Sequence, residues 1–381
     1  KLVGVKMLLN QQPSRQDKFG FYQVDNLKFY SKLEAVQLGK PVKWNFNEEV
    51  YSLHDWKVEP QQSLEELYRQ RAQQLRDKYD YLVLWFSGGA DSNNILDVFI
   101  DNDIKIDEVV SYVNYDATKQ TDDWLNGEIF NIAIPKVEKL KEKQPWLKHR
   151  LVDLAQMTVD SFVNKEAKFD WIYNVNGYYN PNTIARFNVK LRVPEWTTMF
   201  DAGKKVGFIY GMDKPKVTGL NGKFYFKFID MIDNAVTAET QMANNPWEFD
   251  ELFYWTPDLP ELVIKQAHTV KNFMKRGIFT TEDLTDMSFS HTISNVTVNK
   301  KIFDLSTDTL HRLIYPTWKP VPFQGKAPSL FFTPRDTWFF NLPDDDPAKR
   351  AWRIGLEELW KATPESRVPK LRRPVPEGCG Q

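Results

Sequence analysis

The stretch that decides the fold is Tyr81–Ile100, "YLVLWFSGGADSNNILDVFI". Six apolar or aromatic residues give way to Ser87-Gly88-Gly89-Ala90-Asp91-Ser92, and a second apolar segment follows. The leading run is too short for a helix and is flanked by turn chemistry, which predicts a buried strand. A helix is expected to begin at Asp91 or Ser92. Helix N-termini leave backbone N–H groups unpaired and carry roughly half a positive charge. Adjacent glycines let the backbone approach an anion closely and permit positive φ. Ser87 and Ser92 add hydroxyl donors. The loop therefore has the chemistry of a phosphate cradle. No Gly-Lys-Ser/Thr closes it and no GxGxxG is present, so neither a Walker A loop nor a dinucleotide fingerprint explains it.

Working outward, Ser63 and Glu66 form a capping box ahead of a helix ending near Lys78, with Leu64, Leu67, Tyr68, Ala72 and Leu75 on one face. "DEVVSYVNYD" reads as a second strand, "GEIFNIAIPKVEKLKEK" as a helix that Pro135 kinks or splits, and "HRLVDL" as a third strand. A helical stretch from about Asn182 to Lys205 precedes "VGFIYG", a fourth strand. Strands alternating with helices predict an α/β fold, a parallel five-stranded-type sheet with helices on both faces. Residues 1–62 read as an N-terminal lead, 63–216 as the α/β domain, 217–362 as a hairpin and mainly helical substrate region, and 363–381 as a proline-rich, basic tail. Asn221-Gly222 predicts a hairpin turn, with Phe224, Phe226 and Phe228 alternating after it. A last helix is expected after Asp346-Pro347.

The totals limit the function classes. Fifty basic and 51 acidic residues give a net charge of -1, which does not favour nucleic-acid binding through a global field. The one cysteine, Cys379, excludes a disulfide framework and an all-cysteine zinc site within the chain. The five histidines contain no HExxH and no i,i+4 pair. The N-terminal residues lack the apolar core of a signal peptide, and no apolar run approaches the ~18 residues of a membrane span. A soluble, cytoplasmic protein without membrane contact is the expectation.

"SGGADS" resembles the PP-loop, SGGxDS, of the ATP pyrophosphatases. That superfamily includes the synthetase domains of asparagine, GMP, NAD and argininosuccinate synthetases, the tRNA lysidine and thiolation enzymes, and the PAPS reductases. The resemblance covers roughly residues 80–215 and implies the corresponding Rossmann-like (HUP) fold. It implies that Ser87, Gly88, Gly89, Asp91 and Ser92 bind the β- and γ-phosphates of ATP, with Asp91 beside Mg²⁺. The adenine would rest against the end of the second strand, Ser111, Tyr112, Val113 and Asn114. In the asparagine-synthetase-like branch the fourth strand leads into a loop facing the PP-loop. Gly211 and Asp213 match that part, with Asp213 near metal or pyrophosphate, and Lys214 and Lys216 offset charge on the leaving group.

The resemblance thus implies a ligase that adenylates a small-molecule substrate and releases pyrophosphate, a nitrogen nucleophile then displacing AMP. The chain has no glutaminase domain with an initial cysteine, so the nitrogen would come from free ammonia, an amine or a separate subunit. The alternatives are a PP-loop enzyme modifying nucleic acid or nucleobases, a PAPS-reductase-like protein, and a non-catalytic nucleotide-binding subunit. Asn126-Gly127-Glu128 reads as a helix start with a favourable first-turn acid. Arg186, Lys190 and Arg192 read as a solvated face. Asp344-Asp345-Asp346 reads as an N-cap rather than a metal cluster. "KFYFKF" and "SLFFTPRDTWFF" read as core.

Overall fold

The computed structural model describes residues 17–29, 35–36, 38–113, 127–154, 157, 189–190, 192–212, 214–220, 223–228, 246–276, 289, 295–298, 301–319, 341–347, 349–350 and 353. The strands are β1 (Phe21–Val24), β2 (Leu27–Phe29), β3 (Lys43–Asn45), β4 (Tyr81–Trp85), β5 (Glu108–Val113), β6 (Lys148–Asp153), β7 (Val206–Tyr210), β8 (Lys216–Leu220), β9 (Lys223–Lys227), β10 (Glu248–Leu252), β11 (Asn295–Val298) and β12 (Lys301–Asp304). The helices are α1 (Glu48–Tyr51), α2 (Leu64–Lys78), α3 (Ala90–Asp101), α4 (Ile134–Lys141), α5 (Pro194–Asp201), α6 (Pro260–Arg276) and α7 (Thr307–Ile314).

The centre is a five-stranded, wholly parallel sheet in the order β10-β7-β4-β5-β6. This is a Rossmann-like α/β arrangement. The chain leaves β4 in one direction to build β5 and β6, then returns to the other side of β4 for β7 and β10. The order therefore reverses at β4, and the crevice at the carboxyl end of that strand is where open α/β sheets place ligands. Leu82, Val83 and Leu84 are completely buried, as a strand covered on both faces requires.

The two faces are covered by different helices. Trp85 stacks on Tyr112 with ring centroids 5.0 Å apart and meets Trp196 of α5 edge-on at 6.0 Å. On the other face α2 and α3 pack on each other and on β4. The Ser63–Glu66 capping box forms as expected: Glu66 N–H donates to Ser63 Oγ at 3.1 Å, and Ser63 N–H to Glu66 Oε2 at 2.7 Å. Burial of each large apolar side chain here contributes roughly 1.5–3 kcal/mol.

Three features differ from the sequence-based expectation. The fifth strand, β10, lies in a stretch read as mainly helical; three of the five residues of its "EFDEL" are acids, which masks a buried strand. Those acids are held by ion pairs inside the protein. Glu251 takes Arg71 at 3.0 Å, Lys78 at 2.9 Å and Lys18 at 3.3 Å, which ties β10 to α2 and to the N-terminal residues. Lys190, read as part of a solvated face, is instead buried between Glu248, at 2.8 Å, and Asp250. Finally, the N-terminal lead holds a three-stranded antiparallel sheet, β2-β1-β3.

Pro135 interrupts its helix in a definable way. It has no N–H to donate, and the turn before it widens into a π-helical segment, Ile129–Ala133, that runs into α4. The β8–β9 hairpin pairs Leu220 with Lys223, and the Asn221-Gly222 turn between them lies outside the described residues. Phe226 and Phe228 pack against Trp56, Tyr51, Phe46 and Trp255, so the phenylalanines of "KFYFKF" cover the core as read, whereas Tyr225 between them is exposed. "SLFFTPRDTWFF", Arg186 and Cys379 lie outside the described residues. Asp346 stands as a helix start, its C=O accepting from Arg350 N–H at 3.0 Å and its Oδ1 from Lys349 N–H at 3.5 Å, while Asp344 pairs with Lys349 at 2.9 Å and Arg353 at 2.8 Å. Among the described residues no helix is long and apolar enough to cross a membrane.

Candidate functional site

The Ser87–Ser92 loop leaves the end of β4, at the point where the sheet order reverses, and enters α3. Gly89 is the N-cap of α3, one or two residues earlier than the sequence suggested. The first helical ladder bond runs from Asn93 N–H to Gly89 C=O at 2.9 Å. The N–H groups of Ala90, Asp91 and Ser92 precede that ladder and face the crevice end of the helix.

The loop's own hydrogen bonds hold its shape. Gly89 N–H donates to Ser87 Oγ at 3.2 Å, Ser92 Oγ donates to Gly89 C=O at 3.2 Å, and the two hydroxyl oxygens lie 3.3 Å apart. Asn93 Nδ2 donates to the carbonyls of Gly88 and Gly89. Asn93, an amide one position past the motif, has no distinguishing signal in sequence.

Gly88 has φ +78°, the left-handed region that glycine enters freely. A β-carbon there would stand 3.1 Å from Glu128 C=O and 3.2 Å from Ala133 N. The loop is therefore wedged against the turn that begins the π-helical segment. A β-carbon on Gly89 would meet Glu128 Oε1 at 3.1 Å and Ser87 Oγ at 3.2 Å. The Glu128 carboxylate thus reaches over the glycine loop, whereas sequence reasoning read that acid as a first-turn cap. Asn126 lies outside the described residues.

Asp91 is the most constrained group of the site. Lys214 Nζ donates to Asp91 Oδ2 at 2.7 Å, and Tyr315 OH donates to Asp91 Oδ1. Tyr254 OH donates to Asp91 C=O at 2.8 Å. Burial opposes ionisation of Asp91, but the Lys214 ammonium and the Tyr315 hydroxyl outweigh it and hold the carboxyl below its ordinary range. Gly211 lies against the same helix start: a β-carbon there would come within 3.3 Å of Asp91 and 3.2 Å of Ile95. The loop after β7 therefore faces the loop after β4. Asp213, named from sequence as a second acid of the site, lies outside the described residues.

Ser111, Tyr112 and Val113 extend β5 beyond its pairing with β4, which ends at Trp85↔Val110. Their position is the rim of the crevice. Ser111 is buried, and its hydroxyl donates to Phe86 C=O at 2.6 Å. His149 Nε2 lies 3.0 Å from the Ser111 hydroxyl oxygen, within hydrogen-bond distance. Burial lowers the His149 pKa to about 4, so the ring is neutral near pH 7. The Ser111 side chain thus braces the end of β4, leaving backbone and neighbouring side chains for any ligand. Asn114 lies outside the described residues.

Among the described residues no group of three or more His, Cys, Asp or Glu side chains could hold a metal ion. Asp91 and Glu128 are the carboxylates brought to the loop. Mg²⁺ characteristically takes one or two protein carboxylates and completes its shell with phosphate oxygens and water, so this donor set fits an ion arriving with a polyphosphate. Comparison of the chain with protein-family models and with curated proteins gives no match.

Proposed function

We propose that the chain is a PP-loop ATP pyrophosphatase of the HUP type: a cytoplasmic, AMP- and pyrophosphate-forming ligase nearest to the asparagine-synthetase-like branch. The observation that carries the reading is the placement of "SGGADS". The motif leaves the central strand at the switch point, runs into a helix N-terminus, and is faced by Gly211 and Lys214 from the neighbouring strand. The motif and its place in the topology both support this reading.

In this reading the amides of Ala90, Asp91 and Ser92, with the Ser87 and Ser92 hydroxyls, hold the β- and γ-phosphates. A substrate carboxylate oxygen attacks the α-phosphorus. The bond to the α,β-bridging oxygen breaks, its electron pair leaves with pyrophosphate, and the substrate becomes an acyl adenylate. Ammonia or an amine, free or delivered by a separate subunit, then attacks the acyl carbon and AMP departs, the nitrogen losing a proton. Lys214 stands where charge on the departing pyrophosphate would be offset. Mg²⁺, held by Asp91 and Glu128 together with the phosphates, would supply further charge neutralisation. Three or four charge-assisted contacts contribute about 5–9 kcal/mol gross, and association costs at least about 4, so adenine contacts along the β5 rim are needed for micromolar binding.

The test is pyrophosphate release from ATP with pooled amino acids and ammonia. The native chain releases pyrophosphate, and Asp91→Ala lowers the rate by about a hundredfold or more, the scale of losing one preorganised electrostatic contact. Equal rates in the two proteins overturn the assignment.

A further inference from the structure

We propose that Tyr315 is a positioning residue of the nucleotide site, fixing the Asp91 carboxylate in the orientation that receives metal-bound phosphates. The proposal rests on the nucleotide-binding reading above and extends the site to the C-terminal side of the chain, 224 residues beyond Asp91. Nothing in the sequence around "HRLIYPTW" marks Tyr315 for this role.

The geometry holds Asp91 from three directions. Lys214 takes Oδ2, Tyr315 takes Oδ1, and Tyr254 takes the backbone carbonyl. Tyr254 in turn accepts from Asn94 Nδ2 at 3.0 Å, one turn along α3. A carboxylate offers about four lone-pair sites, so the two side-chain bonds leave room for an incoming cation. They also remove the rotational freedom that would otherwise be lost on binding it.

Tyr315 is itself held. Its ring is 1% exposed, stacked on His311 at 5.6 Å and tilted against Tyr254 at 5.6 Å. The preceding carbonyl, Ile314 C=O, accepts from Tyr68 OH at 2.6 Å, and Tyr68 OH accepts from Gln266 Nε2 at 2.8 Å. Helices α2 and α6 therefore clamp the end of α7, which delivers the hydroxyl. Burial and the nearby Asp91 charge raise the Tyr315 pKa well above its ordinary value, so the phenol remains a donor. A phenylalanine would fill the same space. The hydroxyl is the functional part.

The experiment compares the native chain with Tyr315→Phe. Calorimetric titration with a non-hydrolysable ATP analogue measures the Mg²⁺ concentration needed for half-saturation, and pyrophosphate release is followed against pH. The variant should melt within a few degrees of the native chain and need about tenfold more Mg²⁺, the usual scale for losing an outer-shell partner of a ligand. Its kcat should fall while the KM for ATP at saturating Mg²⁺ stays within about twofold, and the acid limb should move to higher pH. Tyr68→Phe, which frees the Ile314 carbonyl and leaves both Asp91 side-chain bonds intact, should shift the Mg²⁺ requirement in the same direction by less. An unchanged Mg²⁺ requirement and acid limb in Tyr315→Phe overturn the proposal. If the native chain binds no analogue, the nucleotide reading itself fails. Titration of the Asp91 carboxyl by ¹³C NMR then decides the Tyr315 contact, an upward midpoint in the variant supporting it and an unmoved one overturning it.

Discussion

Lys214 Nζ lies 2.7 Å from Asp91 Oδ2, although 123 residues separate them in the chain. The pair joins the loops after β4 and β7 across the switch point and sets the charge state of the site. Lys214→Gln keeps a hydrogen-bonding side chain and removes the cation. With Lys214 in place, the depressed Asp91 pKa contributes stability above the unfolded carboxyl pKa, and this is lost as pH falls through the folded value. The variant should therefore show a flatter acid limb in thermal melts, an acid limb of pyrophosphate release displaced to higher pH, and a rate reduced by about a hundredfold. Identical acid limbs would show that Lys214 does not govern Asp91.

The two loop glycines should separate stability from binding. Gly88 combines φ +78° with Glu128 C=O and Ala133 N about the β-carbon position. Gly88→Ala incurs left-handed strain of about 1–2 kcal/mol plus those contacts, and should lower the melting temperature. Gly89 has φ −73° and ψ 168°, open to any residue, and its β-carbon would press on a side-chain carboxylate rather than on backbone. Gly89→Ala should fold nearly as well as the native chain and lose ATP-analogue affinity. Differential scanning fluorimetry beside calorimetric titration reads both; equal melting losses in the two variants would contradict the distinction.

Divalent-metal dependence follows from the charges at the loop. Asp91 and Glu128 bring two negative charges against the Lys214 ammonium and about half a charge from the α3 N-terminus. Among these groups of the described residues, the loop has no net positive charge to offer a triphosphate alone. ATP-analogue affinity should therefore fall by more than about tenfold when EDTA replaces Mg²⁺. Glu128→Gln should narrow that difference. An affinity indifferent to EDTA in the native chain would place the phosphates elsewhere.

The parts of the fold legible in sequence are those where local chemistry and tertiary environment agree. "YLVLWF" and "VGFIYG" are apolar throughout because both faces of β4 and β7 are covered, and Ser63 with Glu66 caps α2 by purely local bonds. β10 is not legible in sequence because Glu248, Asp250 and Glu251 are polar letters whose burial depends on Lys190, Arg71, Lys78 and Lys18, partners far away in the chain. The site divides the same way. The glycine loop is a contiguous string, and Gly211 and Lys214 are named by the resemblance of the loop after the fourth strand to the asparagine-synthetase-like branch. Glu128, Tyr254 and Tyr315 reach the loop only through packing, which no local pattern encodes.

Arg71 shows what such partners contribute. It is 1% exposed and spans Glu251 at 3.0 Å, Leu252 C=O at 2.9 Å and Asp258 at 3.4 Å. Burial works against an ionised Glu251, but Lys18, Arg71 and Lys78 together hold its carboxyl far below the ordinary range. Arg71→Met fills much of the volume, removes one of the three cations at Glu251, which keeps Lys78 and Lys18, and takes the guanidinium donor from Leu252 C=O. The expected cost is about 1–3 kcal/mol at neutral pH. Glu251 should then titrate higher, so the deficit should shrink as pH falls and the acid is protonated. Urea melts at two pH values measure this, and a deficit independent of pH would show that Arg71 acts through packing alone.

The Lys190–Glu248–Asp250 cluster leads to the opposite sign. One ammonium faces two carboxylates, all three groups are buried, and Glu248 Oε2 and Asp250 Oδ2 have no hydrogen-bond partner among the described residues. Burial raises the Asp250 pKa from 3.8 to about 6, against the attraction of Lys190 and with the repulsion of Glu248 added. A carboxyl whose folded pKa exceeds its unfolded value binds more protons when folded. Stability should therefore fall as pH rises from about 4 to about 6, and the loss persists above that. Asp250→Asn removes the titration while Lys190 keeps Glu248, so the variant should melt higher than the native chain at pH 7–8 and lose the slope between pH 4 and 6. Lys190→Met, which leaves two buried acids facing each other, should be destabilised at pH 7 and partly restored at pH 5. Thermal melts across this range decide the matter: an Asp250→Asn protein that melts lower than the native chain at pH 8 would mean that the carboxylate is a net stabiliser of β10.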